Sequence, residues 1–65
     1  MPWTGKELVR LLEKNGWILS RISGSHHVMI KPGFRNVPIP VHGNRDIDDS
    51  FAKDILKQAN LREKF

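Results

Sequence analysis

Not one of the 65 residues is a cysteine. That absence removes two staples on which very small domains often rely, disulfides and cysteine-ligated zinc. A domain of this size buries only about 60% of the surface its unfolded chain exposes. Its core must therefore be assembled from elements that each offer one apolar face to the others. Two helices laid over a small sheet meet that need economically, and residues 1–65 read as a single domain with no linker or repeat.

The apolar residues fall into five segments that fit such a plan. Thr4 can cap a first helix, Glu7 stands at the capping-box position three residues on, and Trp3 can staple against Leu8. Leu8, Leu11 and Leu12 share one face, with Val9 at its margin, and Gly16 supplies a left-handed stop after Asn15. Trp17 to Ser23 reads as a strand, and Gly24-Ser25 as a turn. A second strand follows from His26 to Lys31, broken by Pro32-Gly33. In the third, Asn36 to Val41, Val37, Ile39 and Val41 alternate with polar residues and prolines. Pro38 and Pro40 cannot donate to a ladder, which makes this an edge strand. After a loop over His42 to Asp46, Asp48 caps a second helix whose stripe is Phe51, Ala52, Ile55, Leu56 and Ala59. Asn60 takes the left-handed cap and lets Leu61 fold back on Leu56. The fold class is α+β in the order α-β-β-β-α: a three-stranded antiparallel sheet with two helices on one face.

Eleven Lys and Arg against seven Asp and Glu give a net charge of +4. Such a surface attracts polyanions, nucleic acid first and acidic proteins second, or is simply a basic solvated surface. No apolar run approaches the roughly 20 residues that cross a bilayer, and no signal-peptide core is present. The expected location is cytoplasmic, with no membrane partner.

Gly24-Ser25-His26 is the most informative spot. A histidine at a strand start is held by the ladder yet stands at a sheet end that a substrate can approach. An imidazole can both take and give a proton near neutral pH. RNA carries its own nucleophile, the 2′-hydroxyl beside each phosphate, so cutting it needs a base, an acid and some positive charge, with no metal or other cofactor. His26 is the candidate catalytic group. Backbone N–H groups at Gly24 and Ser25 can cradle a phosphate. Side chains alternate along a strand, so His27 points to the opposite face and is the second candidate, while Val28 and Ile30 share the parity of His26 and look like core. His42 and Arg45 are candidates for the complementary group. Lys6, Arg10 and Lys14 form a stripe on the first helix; such stripes are solvated helix faces or contacts to RNA phosphates. Lys6, Arg10, His27, Lys31 and Arg45 complete the RNA-binding candidates. The histidine spacing fits no metal motif. Trp17 sits in an apolar run and reads as core, whereas Phe34 reads as the exposed aromatic.

Taken together, Glu7-Leu8, Leu11 to Trp17, Gly24-Ser25-His26-His27, Val37-Pro38-Ile39-Pro40, and Ile55 to Ala59 with Leu61 resemble the HicA family of toxin ribonucleases over nearly the whole chain. The resemblance implies a fold like that of double-stranded-RNA-binding domains and cleavage of mRNA that arrests translation. It also implies a HicB-type antitoxin covering the site, and a catalytic histidine at the position of His26. Met29 stands where the family often carries an aromatic, and Asn60 where it often carries Gly. The other readings are a non-catalytic RNA-binding module with the same fold, and a small adaptor whose edge strand binds an acidic protein.

Overall fold

The computed structural model describes residues 3–61. Its elements are β1 (Trp3–Thr4), α1 (Gly5–Lys14), β2 (Ile18–Ser23), β3 (His26–Ile30), β4 (Val37–Pro40), β5 (Asp46–Ile47) and α2 (Asp49–Gln58). Strands β2, β3 and β4 make one antiparallel sheet in that order, and the two helices lie on one of its faces. The predicted α-β-β-β-α plan is thus present, with β4 at one edge. The added feature is a two-residue antiparallel ladder in which Trp3 and Thr4 pair with Ile47 and Asp46. It ties the entrance of α1 to the entrance of α2, two points far apart in sequence.

Both helix entrances are capped as their sequences dictate. The Thr4 hydroxyl accepts from the Glu7 N–H at 3.2 Å, and the Glu7 carboxylate accepts from the Thr4 N–H at 2.9 Å. Asp48 accepts from the Ser50 N–H at 3.1 Å. At the exits, Gly16 and Asn60 hold φ of 92° and 60°. Past Asn60 the Leu61 N–H donates to Leu56 O at 2.6 Å, which turns Leu61 back into the core.

The core comprises Leu8, Leu12, Trp17, Met29, Val37, Ile39, Ile47, Ala52, Ile55, Leu56, Ala59 and Leu61, with Trp3, Val9, Leu11, Leu19 and Val41 packed at its margin. Two expectations change. Phe51 is 43% exposed rather than part of the buried stripe, because it sits on the shoulder of the face defined by Ala52, Ile55 and Ala59. On β3 it is Met29, not Val28 and Ile30, that enters the main core. Val28 is buried outside that cluster and Ile30 is half-buried, both on the side away from the helices.

Trp17 packs against Phe34 with ring centroids 5.4 Å apart. Phe34 in turn lies under the Lys31 ammonium at 5.3 Å. Since Lys31 Nζ also donates to Asn15 O at 2.9 Å, the β3–β4 turn is clipped to the end of α1.

Candidate active site and nucleic-acid interface

The hairpin that presents the histidines follows from Gly24. Ser23 pairs with His26, leaving Gly24 and Ser25 as a two-residue turn. Gly24 has a φ of 59°, and Ser25 does not share the positive sign. That combination matches a type II′ turn, whose twist suits antiparallel strands and which favours glycine at its first position. The Val41 N–H donates to Ser25 O at 2.7 Å, extending the ladder one step past β4 and fixing this end of the sheet.

Facing pairs assign each histidine a side. His27 lies opposite Ile39, and Met29 opposite Val37, so these four share the helix-covered face. His26 lies opposite Ser23 on one strand and Pro40 on the other, on the helix-free face, and it is exposed. A proton carrier at that point is open to a large ligand. Met29 is fully buried among core residues, so it belongs to the core rather than to the wall around His26.

An additional group joins His26 through an irregularity in β2. Leu19 pairs with Met29 but Arg21 pairs with Val28, so Ser20 is the extra residue of a β-bulge. Plain alternation puts residues 19 and 21 on the same face. The bulge turns Arg21 to the helix-free face, where it stands diagonal to His26, roughly 7–8 Å away between backbones. Sequence reasoning passed over Arg21, and no local signal announces the bulge. Its guanidinium is exposed and is the nearest cation to His26 that the strand register supplies on that face.

The remaining candidates divide into four places. Lys6, Arg10 and His27 meet on the helix-covered side, lining a cleft of about 190 Å³ with Val9, Glu13 and Val41. His42 and Arg45 lie beyond β4 and line a hollow of about 310 Å³ with Pro40, Asp46, Ile47, Asp48 and Phe51. Through Pro40, the cross-strand partner of His26, that hollow borders the helix-free face at the His26 end. Lys31 is at the other end of β3, about 17 Å from His26 at the usual rise per residue, and is engaged with Asn15 and Phe34. Lys14 lines a separate depression with Trp3, Glu7, Arg10 and Leu11. Among the described residues no three His, Asp or Glu side chains converge as metal ligands, and no described helix is long and apolar enough to cross a membrane.

Two helices on one face of a three-stranded antiparallel sheet, in the order α-β-β-β-α, place the chain in the class of double-stranded-RNA-binding-domain-like folds. The comparisons make the assignment narrower. The sequence model of the family described as "HicA toxin of bacterial toxin-antitoxin" matches residues 5–61, and the chain belongs to that family. A chain from a solved "Toxin-Antitoxin complex from Streptococcus pneumoniae" superimposes with a TM-score of 0.80 at 43% identity. The match covers 92% of this chain and 100% of that one. No curated protein matches the chain.

Proposed function

We propose that this chain is a cytoplasmic toxin endoribonuclease that cuts mRNA without a metal, through His26, and is neutralised by a HicB-type antitoxin. The observation that carries the reading is the exposed position of His26 on the helix-free face, diagonal to Arg21 and beside the Gly24-Ser25 turn. The 2′-hydroxyl of RNA attacks the adjacent phosphorus, the bond to the 5′-oxygen breaks, and the products are a 2′,3′-cyclic phosphate and a 5′-hydroxyl. His26 takes the proton from the attacking hydroxyl or gives one to the leaving oxygen. A positioned acid or base of this kind contributes about 10²–10⁴-fold. Arg21 stabilises the charge that grows on the phosphoryl oxygens, and the backbone N–H groups of Gly24 and Ser25 orient the phosphate. The complementary proton carrier is His42, or Arg45 acts there as an electrostatic clamp. Both line the hollow that Pro40 separates from His26.

Support for the partner comes from the Streptococcus pneumoniae relative, whose solved structure is a toxin–antitoxin complex. The net charge of +4 suits an acidic protein. Ile18, 61% exposed on the edge strand β2 and opposite Ile30 on the His26 side of the sheet, offers it apolar contact. The antitoxin covers His26; a purified complex that cuts RNA as fast as the free chain contradicts this.

The cleavage chemistry is tested in EDTA with an RNA and its 2′-O-methyl counterpart. The expected result is cutting of the RNA alone, with cyclic phosphate ends. Equal cutting of both removes the 2′-hydroxyl mechanism and leaves a nuclease with another nucleophile, whereas binding without cutting removes the nuclease reading and leaves an RNA-binding module.

A further inference from the structure

The cleft beneath the sheet is not used by the chemistry assigned to His26. It lies between α1 and the β3–β4 end, and its polar lining consists of Lys6, Arg10 and Glu13 from the helix and His27 from the sheet, over a floor of Val9 and Val41. Two cations against one carboxylate leave it net positive before His27 is counted. Lys6, Arg10 and Glu13 are all exposed, so their charged ends are free to turn toward a guest.

His27 is the unusual member. It is half-buried, and its Nδ1 is buried without any hydrogen-bond partner. A neutral ring in that position is best served by leaving Nδ1 as a bare lone pair, since a buried N–H with no acceptor is costly. The proton then sits on Nε2, making the ring a donor. A lysine, an arginine and an imidazole N–H line one recess with donors and, among the described residues, no matching charged acceptor beyond Glu13. Oxygen-rich anions supply what is missing.

The geometry points to this α1–β3 cleft as a subsite for a backbone phosphate of single-stranded RNA, on the opposite side of the sheet from His26. The inference rests on the RNA reading above and adds a path for the strand. His26 and His27 are consecutive, and the Ser25–Val41 contact closes the sheet where both faces end. A strand that rounds this end places one phosphate at Lys6, Arg10 and His27 and presents a neighbouring one to His26. The cleft thus holds the substrate in register without touching the reacting atoms.

The test uses the full chain and a short 2′-O-methyl oligonucleotide, which binds but has no nucleophile to be cut. Affinity is measured across a salt series for wild type, Lys6→Gln, Arg10→Gln and, as a charge-matched control in the far turn, Arg35→Gln. His27 ring nitrogens are followed by NMR, and circular dichroism checks folding. The expected result is a several-fold loss for Lys6→Gln and Arg10→Gln, with the salt slope reduced by about 0.7 for the phosphate no longer neutralised. Arg35→Gln should bind nearly as wild type, and the His27 resonances should move on binding. An equal loss in all three variants means diffuse attraction and overturns the subsite, as do unmoved His27 signals. So does a loss of antitoxin binding with RNA affinity intact, which would give the cleft to the protein partner. Binding mapped to the cleft by a chain that never cuts RNA keeps the subsite and removes only the nuclease.

Discussion

Replacing Gly5 by alanine offers a sharp test of how the cleft is built, because two opposing effects are set against each other. Gly5 is the first residue of α1 and is buried against the end of β4. A Cβ built there collides with the Pro40 carbonyl oxygen, and lies 2.9 Å from Val41 Cα and 3.0 Å from Val41 Cγ2. Two of these atoms are backbone and cannot rotate away, so relief requires α1 to move off the sheet. Overpacking of this kind costs about 1–3 kcal/mol. In favour of alanine stands helix propensity, at most about 1 kcal/mol and less in the first turn. The balance is a destabilisation of about 1–2 kcal/mol. In a domain of 60–100 residues each kcal/mol moves Tm by about 4–8 °C, so the expected fall is about 5–15 °C by circular dichroism. Gly43→Ala is the comparison: nothing lies within 4 Å of its Cβ, and only its φ of 60° opposes the change, at about 1–2 kcal/mol. The two differ in reach. Displacement of α1 separates Lys6 from Val41, so Gly5→Ala should also shift the NMR signals of His27, whereas Gly43→Ala should leave them in place. A Gly5→Ala protein that melts at or above the wild-type temperature would refute the packing argument.

Substitutions at three further positions probe the frame. Thr4→Ala removes one half of the capping box and should lower stability by about 1 kcal/mol in urea denaturation; no change would mean that the β1–β5 ladder alone sets the start of α1. Asn60→Gly removes the left-handed strain of a non-glycine residue and should raise Tm by a few degrees, the gain offset in part by the freer unfolded chain. Trp17 is 2% exposed, and its Nε1 is buried with no partner. Trp17→Phe should therefore cost far less than Trp17→Ala, which opens a cavity worth about 3–5 kcal/mol. Equal losses in thermal melts would refute the packing of the ring, since both variants lose the indole N–H and only Trp17→Ala removes the whole aromatic side chain.

What could be read from the sequence was local. The Thr4–Glu7 box, the Asp48 cap and the left-handed Gly16 and Asn60 each depend on neighbours within a few residues, and each is present. The same holds for the two helices and the proline-bearing edge strand. Features decided between distant segments were hidden. Two residues carry no periodicity, so the pairing of Trp3–Thr4 with Asp46–Ile47 left no pattern to find. Strand β3 is apolar on both faces, and alternation separates His26 from His27 without saying which side the helices cover. The Ser20 bulge is set by pairing with β3, and it alone brings Arg21 to the side of His26. The candidate site was therefore legible as a turn with two histidines, and its charged surroundings were not. Lys6 and Arg10 were visible as a stripe, but their meeting with His27 needed the packing of α1 on the sheet.

The proposed activity depends above all on an imidazole open to solvent on the side of the sheet that neither described helix covers. The rate at which wild type and His26→Ala cut one RNA, measured beside their melting curves, tests it most directly. His26 is exposed, so the substitution should shift stability by no more than about 0.5 kcal/mol. Cleavage should fall by about 100-fold or more. A folded His26→Ala protein that cuts at the wild-type rate, with the loss appearing in His27→Ala instead, would contradict the assignment and move the chemistry beneath the sheet.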